Sequence, residues 1–229
     1  MSSLIQVLAK YRSLLLNGTE ITLIISVITI VFGMIFGSLM ALMKMCRIPP
    51  LRWFADVYVA FIRGTPVLVQ IFLIFYGLPI MGIHIPAIVV GGNDISRIVS
   101  GSIALVINST AYICEIVRAG IQSIDRGQRE AAQALGMSDT RVLWAIILPQ
   151  AMRNIIPALG NEFITVIKTS SQVSVIGIAE LMYTANTIRG ISFKPIEPLV
   201  IVALIYFLIT FVVSLILSAV ERRMRRSVR

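Results

Sequence analysis

Five long apolar runs limit the folds open to this sequence. A helix needs ~20 mainly apolar residues to cross the ~30 Å hydrocarbon layer of a bilayer. Runs of about that length stand at 19–43, 57–78, 99–117, 155–181 and 199–220. Backbone groups in lipid must be hydrogen-bonded within the protein, so unbroken runs of this length indicate helices. The sequence therefore predicts an all-α polytopic membrane protein with five transmembrane helices.

The composition agrees with a protein that lies mostly in lipid. Hydrophobic residues make up 57% of the chain, against about 45–50% apolar residues in soluble domains. Only 14% of the residues are charged, yet the net charge is +9, so the cations are concentrated outside the apolar runs. A nucleic-acid role would need a soluble basic face, which this pattern lacks. Cys46 and Cys114 have neither metal-site nor disulfide spacing and are interpreted as small buried hydrophobes.

A polar segment between the third and fourth runs predicts two short helices. Asp125 is placed to cap the first helix, and Gln128 can complete a capping box. Gly136 supplies a left-handed stop, after which Ser138 begins the second helix. That helix must end or bend near Pro149, because proline disfavours helical geometry at the residue before it. Each helix is too short to span a bilayer, so we expect a helix-turn-helix outside the lipid.

This segment, 125–153, resembles the EAA loop of the permease subunits of ABC importers. Seven residues stand at the offsets of that motif without a gap: Glu130, Ala131, Ala132, Gly136, Ile146, Leu148 and Pro149. In that family the loop faces the cytoplasm and docks on an ATPase subunit, so the resemblance implies that these residues couple the chain to an ATPase. The alternative is a generic amphipathic helix-turn-helix between two spans.

The second run carries a second resemblance. Its residues 61–70, FIRGTPVLVQ, are similar to the FRGTPLLVQ signature of the polar amino acid uptake branch of these permeases. Gly64 weakens the helix and Pro66 cannot donate a backbone hydrogen bond, so a kink is expected there. Gln70 has two interpretations, a direct contact with substrate or a hydrogen bond that joins neighbouring helices. In the second interpretation, the side chain of Arg63 extends to the cytoplasmic surface.

The resemblance implies one subunit of a larger assembly. It implies a pore-forming permease of an ATP-driven importer for polar amino acids in the bacterial cytoplasmic (inner) membrane. The expected partners are ABC ATPase subunits, a second permease chain in a homo- or heterodimer, an extracytoplasmic amino acid-binding protein and membrane lipid, with no nucleic acid. No GxxxxGK[ST] loop occurs in the sequence, so ATP and Mg²⁺ are expected on the partner ATPase, and the chain itself is expected to be neither an enzyme nor a cofactor-binding protein.

A count of basic residues predicts the orientation. With five spans and the N-terminus outside, fourteen of the 20 Lys and Arg residues fall on the cytoplasmic side, as the positive-inside rule requires. Residues 1–18 are expected to form an interfacial helix before a single transmembrane permease domain, 19–220. The coupling loop between spans three and four and the basic tail, 221–229, are then cytoplasmic. Two loops rich in turn formers are expected outside, at 79–98 and 182–198.

Polar residues inside the runs predict a substrate pathway. On the third run, Asn108, Tyr112 and Glu115 share one helical face. Polar groups at such depth face protein or a cavity, because a charge near the bilayer centre costs ~2.5–3.5 kcal/mol. Glu115 stands near the end of its run and has a second interpretation, contact with the cytoplasmic interface. Together with Gln70, this face is a candidate lining of the pathway.

The fourth run contributes the rest of the predicted pathway. Asn161, Thr165 and Lys168 share a face, and Glu162 is the acid best placed to meet a substrate ammonium. We expect a bend over residues 168–174, which include Ser170 and Ser171, and a helix that restarts near residue 174 with amides free for a substrate carboxylate. The alternative is that Glu162 and Lys168 are structural, paired with Arg63, Glu115 or a partner subunit. Relatives usually carry Asp and Leu where this chain has Thr169 and Gln172, a departure compatible with the less substrate-engaged half of a heterodimer.

Two other functions agree less well with the sequence. An ion-coupled secondary transporter or channel would also place polar groups at mid-membrane, but it predicts internal repeats and leaves the EAA-like loop unexplained. A membrane enzyme would have little chemistry to use, since His84 is the single histidine and no paired acids form a motif. The importer permease is the preferred prediction.

Overall fold

The structure is a computed structural model that describes residues 2–83, 85, 89–90 and 93–226. Its helices are α1 (Ser2–Lys10), α2 (Arg12–Met45), α3 (Pro49–Gly64), α4 (Val67–Ile80), α5 (Ser96–Gln122), α6 (Arg126–Ala134), α7 (Asp139–Val142), α8 (Leu148–Thr169), α9 (Leu181–Ser192) and α10 (Glu197–Arg226). A π-helical turn, Leu143–Ile147, joins α7 to α8, and a 3₁₀ segment, Ser170–Ile176, follows α8. A short antiparallel pair, β1 (Val89–Val90) and β2 (Asn93–Asp94), lies between α4 and α5.

The helices confirm an all-helical polytopic membrane protein. Four stretches of the described chain are long and apolar enough to cross a membrane: Arg12–Met45, Ser96–Gln122, Asp139–Ile176 and Glu197–Met224. The pair α3 and α4 makes a fifth candidate if the two helices count as one broken span. The predicted number of five is therefore reached only with this bent pair. Where the lipid boundary falls along each helix stays a prediction.

The kink expected at Pro66 is a complete break. Helix α3 ends at Gly64, and α4 starts at Val67 with its axis turned by 109°. Thr65 takes the extended backbone that a residue before proline prefers, with ψ of 147°. The predicted span 57–78 is therefore divided between two helices, since the local chemistry at Thr65 and Pro66 ends one helix and begins another.

The N-terminal segment divides at Tyr11. Helix α1 packs through Val7 on a buried apolar cluster of α9 and α10 that includes Leu181 and Ile201. Helix α2 already begins at Arg12, seven residues before the predicted start of the first span. The residues expected to form one interfacial helix therefore belong to two helices.

The second predicted external loop contains helix α9. Its first turn is capped by Glu180, whose carboxylate accepts hydrogen bonds from the N–H of Met182 at 2.8 Å and of Tyr183 at 2.7 Å. Glu180 is fully buried and also accepts a hydrogen bond from the hydroxyl of Tyr206 on α10, at 2.8 Å. A loop throughout 182–198 is therefore wrong, because this tertiary cap stabilises a helix among residues that locally favour turns. In the other predicted loop, His84, Pro86, Gly91 and Gly92 lie outside the described residues, as do 227–229 of the tail.

Helices α2 and α5 pack closely against each other. Gly33 and Gly37 stand one turn apart on the face of α2 that meets α5. A Cβ atom added to Gly37 would lie 2.7 Å from the Ile113 side chain and 3.0 Å from the carbonyl oxygen of Thr110. The two backbones can approach this closely only because both α2 positions lack side chains. This contact fixes the position of α5, the helix that carries Asn108, Tyr112 and Glu115.

Candidate functional site

A polar cavity of about 420 Å³ lies between α2, α4, α5 and α8, and we call it the central cavity. Its polar lining residues are Thr29, Thr65, Asn108, Ser109, Tyr112, Glu162, Thr165 and Thr169, with Pro66, Val67, Leu105 and Val166 completing the wall. Four of the predicted pathway residues, Asn108, Tyr112, Glu162 and Thr165, are thus brought together. The side chain of Glu162 is the one charged group among the described lining residues.

Glu162 faces the central cavity without a cation. Its Oε1 atom accepts one hydrogen bond, from the hydroxyl of Ser109 at 3.1 Å. Among the described residues it forms no ion pair, so the alternative pairing of Glu162 with Arg63 is not found. A half-buried carboxylate whose other oxygen is free can accept hydrogen bonds from a cationic group of a ligand.

Gln70 lies behind the cavity wall and holds the break between α3 and α4. Its Nε2 donates to the carbonyl oxygens of Ile62, at 2.8 Å, and Thr65, at 3.1 Å, and to the Thr65 hydroxyl, at 2.8 Å. Its Oε1 accepts from Nδ2 of Asn108, at 2.9 Å. The side chain is only 4% exposed. Of its two interpretations, these contacts match the one in which Gln70 joins helices.

A second cavity, of about 630 Å³, adjoins the central cavity. The two share Tyr112, Glu162 and Thr165, so their walls are continuous. The second cavity extends along α5 and α8 past Asn161, another predicted pathway residue, to Asn154 and Ser123 near the start of α6. The described residues thus form a polar path from the middle of α5 to its C-terminal end.

Glu115 lines the second cavity but is held by cations. Its carboxylate lies 2.8 Å from Nζ of Lys44, 2.7 Å from Nη2 of Arg118 and 3.9 Å from Nη1 of Arg63. Lys44 also lies 3.1 Å from Asp56, so this network ties α2, α3 and α5 together. The role of Lys44 and Asp56 was missed, because neither position is close to Glu115 in sequence.

The fourth-run serines do not line the central cavity. Helical α geometry ends at Thr169, as expected, but Ser170 is fully buried and donates to the carbonyl oxygen of Ile167 at 2.7 Å. Ser171 donates to the carbonyl oxygen of Lys168 at 2.7 Å. Lys168 is exposed and forms no ion pair with the described residues.

The expected anion site after the bend is wrong. The α-helix restarts at Leu181 instead of near residue 174, because the intervening 3₁₀ segment ends at Gly177, which has φ of +79°. The amides of that new first turn already donate to the buried carboxylate of Glu180. They are therefore not available to a ligand.

The EAA-like segment folds around a small apolar core. Asp125 caps α6 by accepting a hydrogen bond from the N–H of Gly127 at 2.7 Å. Gly136 has φ of +81°, and the N–H of Met137 then bonds to the carbonyl oxygen of Ala132 at 3.2 Å, closing the helix end. Ala132 is buried against Val142 and Ile147. This contact fixes α6 on the helix that leads into α8.

The outer face of this segment is exposed. Glu130, Ala131, Gly136 and Pro149 are accessible, whereas Ile146 and Leu148 are half-buried. Two large apolar side chains project beside them, with Leu135 85% exposed and Trp144 66% exposed. These exposed apolar side chains are available for contact with another protein.

The second short helix was predicted wrongly. Helix α7 does not end near Pro149 but continues through the π-helical turn into α8. In this turn the N–H of Leu148 bonds to the carbonyl oxygen of Leu143, five residues earlier. The wider turn lets the helix pass Pro149, which has no N–H to contribute. The segment is therefore a helix, a glycine turn and the extended start of the fourth long helix.

Comparison with known proteins decides the family. Residues 12–226 match the family described as binding-protein-dependent transport system inner membrane component. The chain belongs to this family. It is therefore a multi-pass inner membrane permease subunit of an ABC importer, a class of subunit that is not itself catalytic.

Two curated relatives of the permease come from Bacillus subtilis (strain 168). The arginine transport system permease protein is 38% identical over 211 residues, covering 92% of each chain. The L-cystine transport system permease protein is 39% identical over 220 residues, covering 96% of this chain and 90% of the other.

Solved structures of ABC transporters have the same fold as this permease. An amino acid ABC transporter crystallised with histidines matches with a TM-score of 0.87 and 44% identity, covering 94% of this chain and 96% of the other. An inward-facing form of the MetNI methionine transporter matches with a TM-score of 0.75 at 17% identity, a likeness that concerns the fold alone.

Proposed function

We propose that this permease imports polar amino acids through the central cavity. The observation that carries the proposal is Glu162, a carboxylate without a cation partner among the described residues, in a cavity whose other polar side chains are hydroxyls and an amide. An amino acid has an ammonium group that such a carboxylate recognises through charge-assisted hydrogen bonds. The named substrates of the relatives, arginine and cystine, support this class of substrate.

The second cavity supplies the continuation of the pathway. Asn161, Tyr112 and Thr165 offer hydrogen-bonding groups along it, and Glu115 with its cations stands at one side. Because the walls of the two cavities are continuous, a small polar solute can leave the central cavity toward the end of α5 at which α6 begins. Gln70 acts from behind the wall by holding Asn108 and the start of α4 in place.

ATP hydrolysis is coupled to transport through the exposed face of the EAA-like segment. Glu130, Ala131, Leu135 and Trp144 form the surface on which a separate ATPase subunit docks, and that subunit holds ATP and Mg²⁺. Ala132 and Ile146 transmit its movement, because they belong to the apolar cluster that joins α6 to the continuous helix. Leu148 and Pro149 extend this path, since they begin α8, which forms one wall of both cavities.

The other partners follow from the same architecture. A second permease chain completes the pathway, and an extracytoplasmic binding protein delivers the amino acid. Thr169 lines the central cavity of this chain. If the second chain differs from this one, that position distinguishes the two halves of a heterodimer.

A panel of amino acids tests the substrate class. The permease, its ATPase and its binding protein are reconstituted in liposomes, and ATP hydrolysis is measured with L-arginine, L-glutamine, L-cystine, L-histidine and L-leucine. We expect at least one of the four polar amino acids to stimulate hydrolysis severalfold, with no response to L-leucine. Stimulation by L-leucine alone would contradict a polar amino acid pathway.

Thiol labelling tests the orientation, which places the N-terminus outside and the tail in the cytoplasm. Single cysteines replace Asn93, Asn186 and Ser138 in turn, in a chain whose Cys46 and Cys114 are changed to Ala. An impermeant maleimide added to whole cells should label positions 93 and 186, and position 138 only after the cells are opened. Labelling of position 138 in intact cells would show that the orientation is the opposite of the one proposed.

A further inference from the structure

The first turn of α4 carries free backbone donors at the central cavity. Val67, its first residue, lines the cavity. The N–H groups of Val69 and Gln70 bond to the carbonyl oxygen of Pro66, at 3.0 and 3.2 Å. Within the described part of the chain, the N–H groups of Val67 and Leu68 have no acceptor. Such orphan donors are the normal state of a helix N-terminus and attract anions.

The break between α3 and α4 leaves two backbone donors free, while the Gln70 side chain satisfies two of its acceptors. The carbonyl oxygens of Ile62 and Thr65 both accept hydrogen bonds from the Gln70 side chain. The first turn of α4 is therefore a local positive pole, with two N–H groups unpaired and with the nearby C=O groups of Ile62 and Thr65 paired. The positive end of the α4 dipole adds to this polarity.

A second helix independently provides an unpaired group at the same cavity. Thr29 of α2 is 0% exposed and lines the central cavity. Among the described residues, its Oγ1 atom has no hydrogen-bond partner. A buried hydroxyl without a partner is costly, and nearly all such groups in native proteins are satisfied by protein, water or ligand. Thr29 is thus a hydrogen-bonding group that the chain itself leaves open.

We propose that the first turn of α4 and Thr29 bind the carboxylate of the transported amino acid, while its ammonium meets Glu162. The inference rests on the proposed function and assigns the two ends of the ligand to two walls of the cavity. No described lining residue is cationic, so uncharged donors supply the positive field that a carboxylate requires, and the α4 amides and the Thr29 hydroxyl are donors that the chain leaves unpaired. The site therefore selects zwitterions that keep a free carboxylate, and primary amines without one bind weakly.

The substitution Val67→Pro removes one donor with little other change. Proline is favoured at the first position of a helix, where the N–H has no partner within the helix. Pro66 already has the extended backbone that a residue before proline requires, with ψ of 136°. The matched comparison is Val67→Ala, which also removes the branched side chain of Val67 but keeps the N–H group.

The substitution Thr29→Val removes the hydroxyl at nearly constant shape. Its control is Thr210→Val on α10, where the hydroxyl donates to the carbonyl oxygen of Tyr206 in its own helix, at 2.8 Å, away from the cavity. Hydrogen bonds to charged groups are worth enough to change a Kd by about tenfold or more. We expect about that loss for Val67→Pro relative to Val67→Ala, a similar loss for Thr29→Val, and no change for Thr210→Val.

Binding is measured by calorimetry on the permease–ATPase complex in nanodiscs, without the binding protein, because that protein would itself recognise the ligand. The probes are L-arginine with agmatine, L-histidine with histamine, and L-glutamine with 4-aminobutanamide, each amine lacking the carboxylate. The preference for amino acid over amine should be large in Val67→Ala and should shrink about tenfold in Val67→Pro.

The outcomes separate this inference from the proposed function. If an amino acid binds and Glu162→Gln weakens it, but Val67→Pro and Thr29→Val bind as tightly as their comparison variants, the carboxylate lies elsewhere and the inference is overturned. If no amino acid binds the complex, or if Glu162→Gln leaves binding unchanged, the proposed function fails together with the inference.

Discussion

Replacing Gly136 with Val should abolish most ATP-driven uptake while leaving the permease in the membrane at its normal abundance. Gly136 has φ of +81°, a conformation that costs an ordinary L-residue roughly 1–2 kcal/mol. A Cβ atom there would meet no other atom within 4 Å, so the penalty comes from the backbone alone. The variant must reshape the turn after α6 and thereby displace the docking surface. We expect uptake to fall by about tenfold, measured with a labelled amino acid in whole cells.

The matched control for this prediction is Gly136→Asn. Asparagine tolerates the left-handed conformation far better than a β-branched residue does, so this variant should retain most of the uptake. Both variants need immunoblotting of membrane fractions and co-purification of the ATPase. Wild-type uptake and ATPase stimulation by Gly136→Val would remove the glycine turn from the coupling mechanism.

Replacing Glu162 with Gln should weaken substrate recognition by about tenfold or more, the scale of a lost hydrogen bond to a charged group. The amide keeps the size of the side chain and can still accept a hydrogen bond from the Ser109 hydroxyl, so packing around α5 and α8 is preserved. What the variant lacks is the negative charge that faces the central cavity. The half-saturating concentration for substrate-stimulated ATP hydrolysis in liposomes should rise by this factor.

Glu20→Gln is the control for Glu162, since Glu20 is an exposed acid of α2 that does not line the central cavity. Its half-saturating concentration should equal that of the wild type. Ser170→Leu is a poor test of the same site, because Ser170 is buried and bonded to the backbone of its own helix. Equal substrate dependence in Glu162→Gln and Glu20→Gln would exclude Glu162 from the pathway.

Local chemistry made several features predictable. The Asp125 cap, the Gly136 stop and the end of α geometry after Thr169 each depend on residues within one or two helical turns. The break at Pro66 was foreseen in position, although its 109° angle was not. That angle depends on Gln70, which reaches back across the break and is itself held by Asn108 on another helix.

Features that depend on distant residues were missed. Helix α9 stands among turn-forming residues because Glu180 caps it and is held in turn by Tyr206. Lys44 and Asp56 approach Glu115 only when α2, α3 and α5 are packed together. Ser170 faces the core instead of the cavity. It begins the 3₁₀ segment, in which the angular spacing of successive side chains differs from that of an α-helix.

The most direct test of an ATP-driven amino acid pathway through this chain is accumulation inside sealed vesicles. The permease, its partner chains and its ATPase are reconstituted with ATP enclosed, and the binding protein and a labelled polar amino acid from the stimulating panel are added outside. We expect accumulation above the external concentration that requires enclosed ATP, persists when ion gradients are dissipated, and falls about tenfold in Gly136→Val. Accumulation that an ion gradient drives without ATP would contradict this expectation and would favour an ion-coupled transporter.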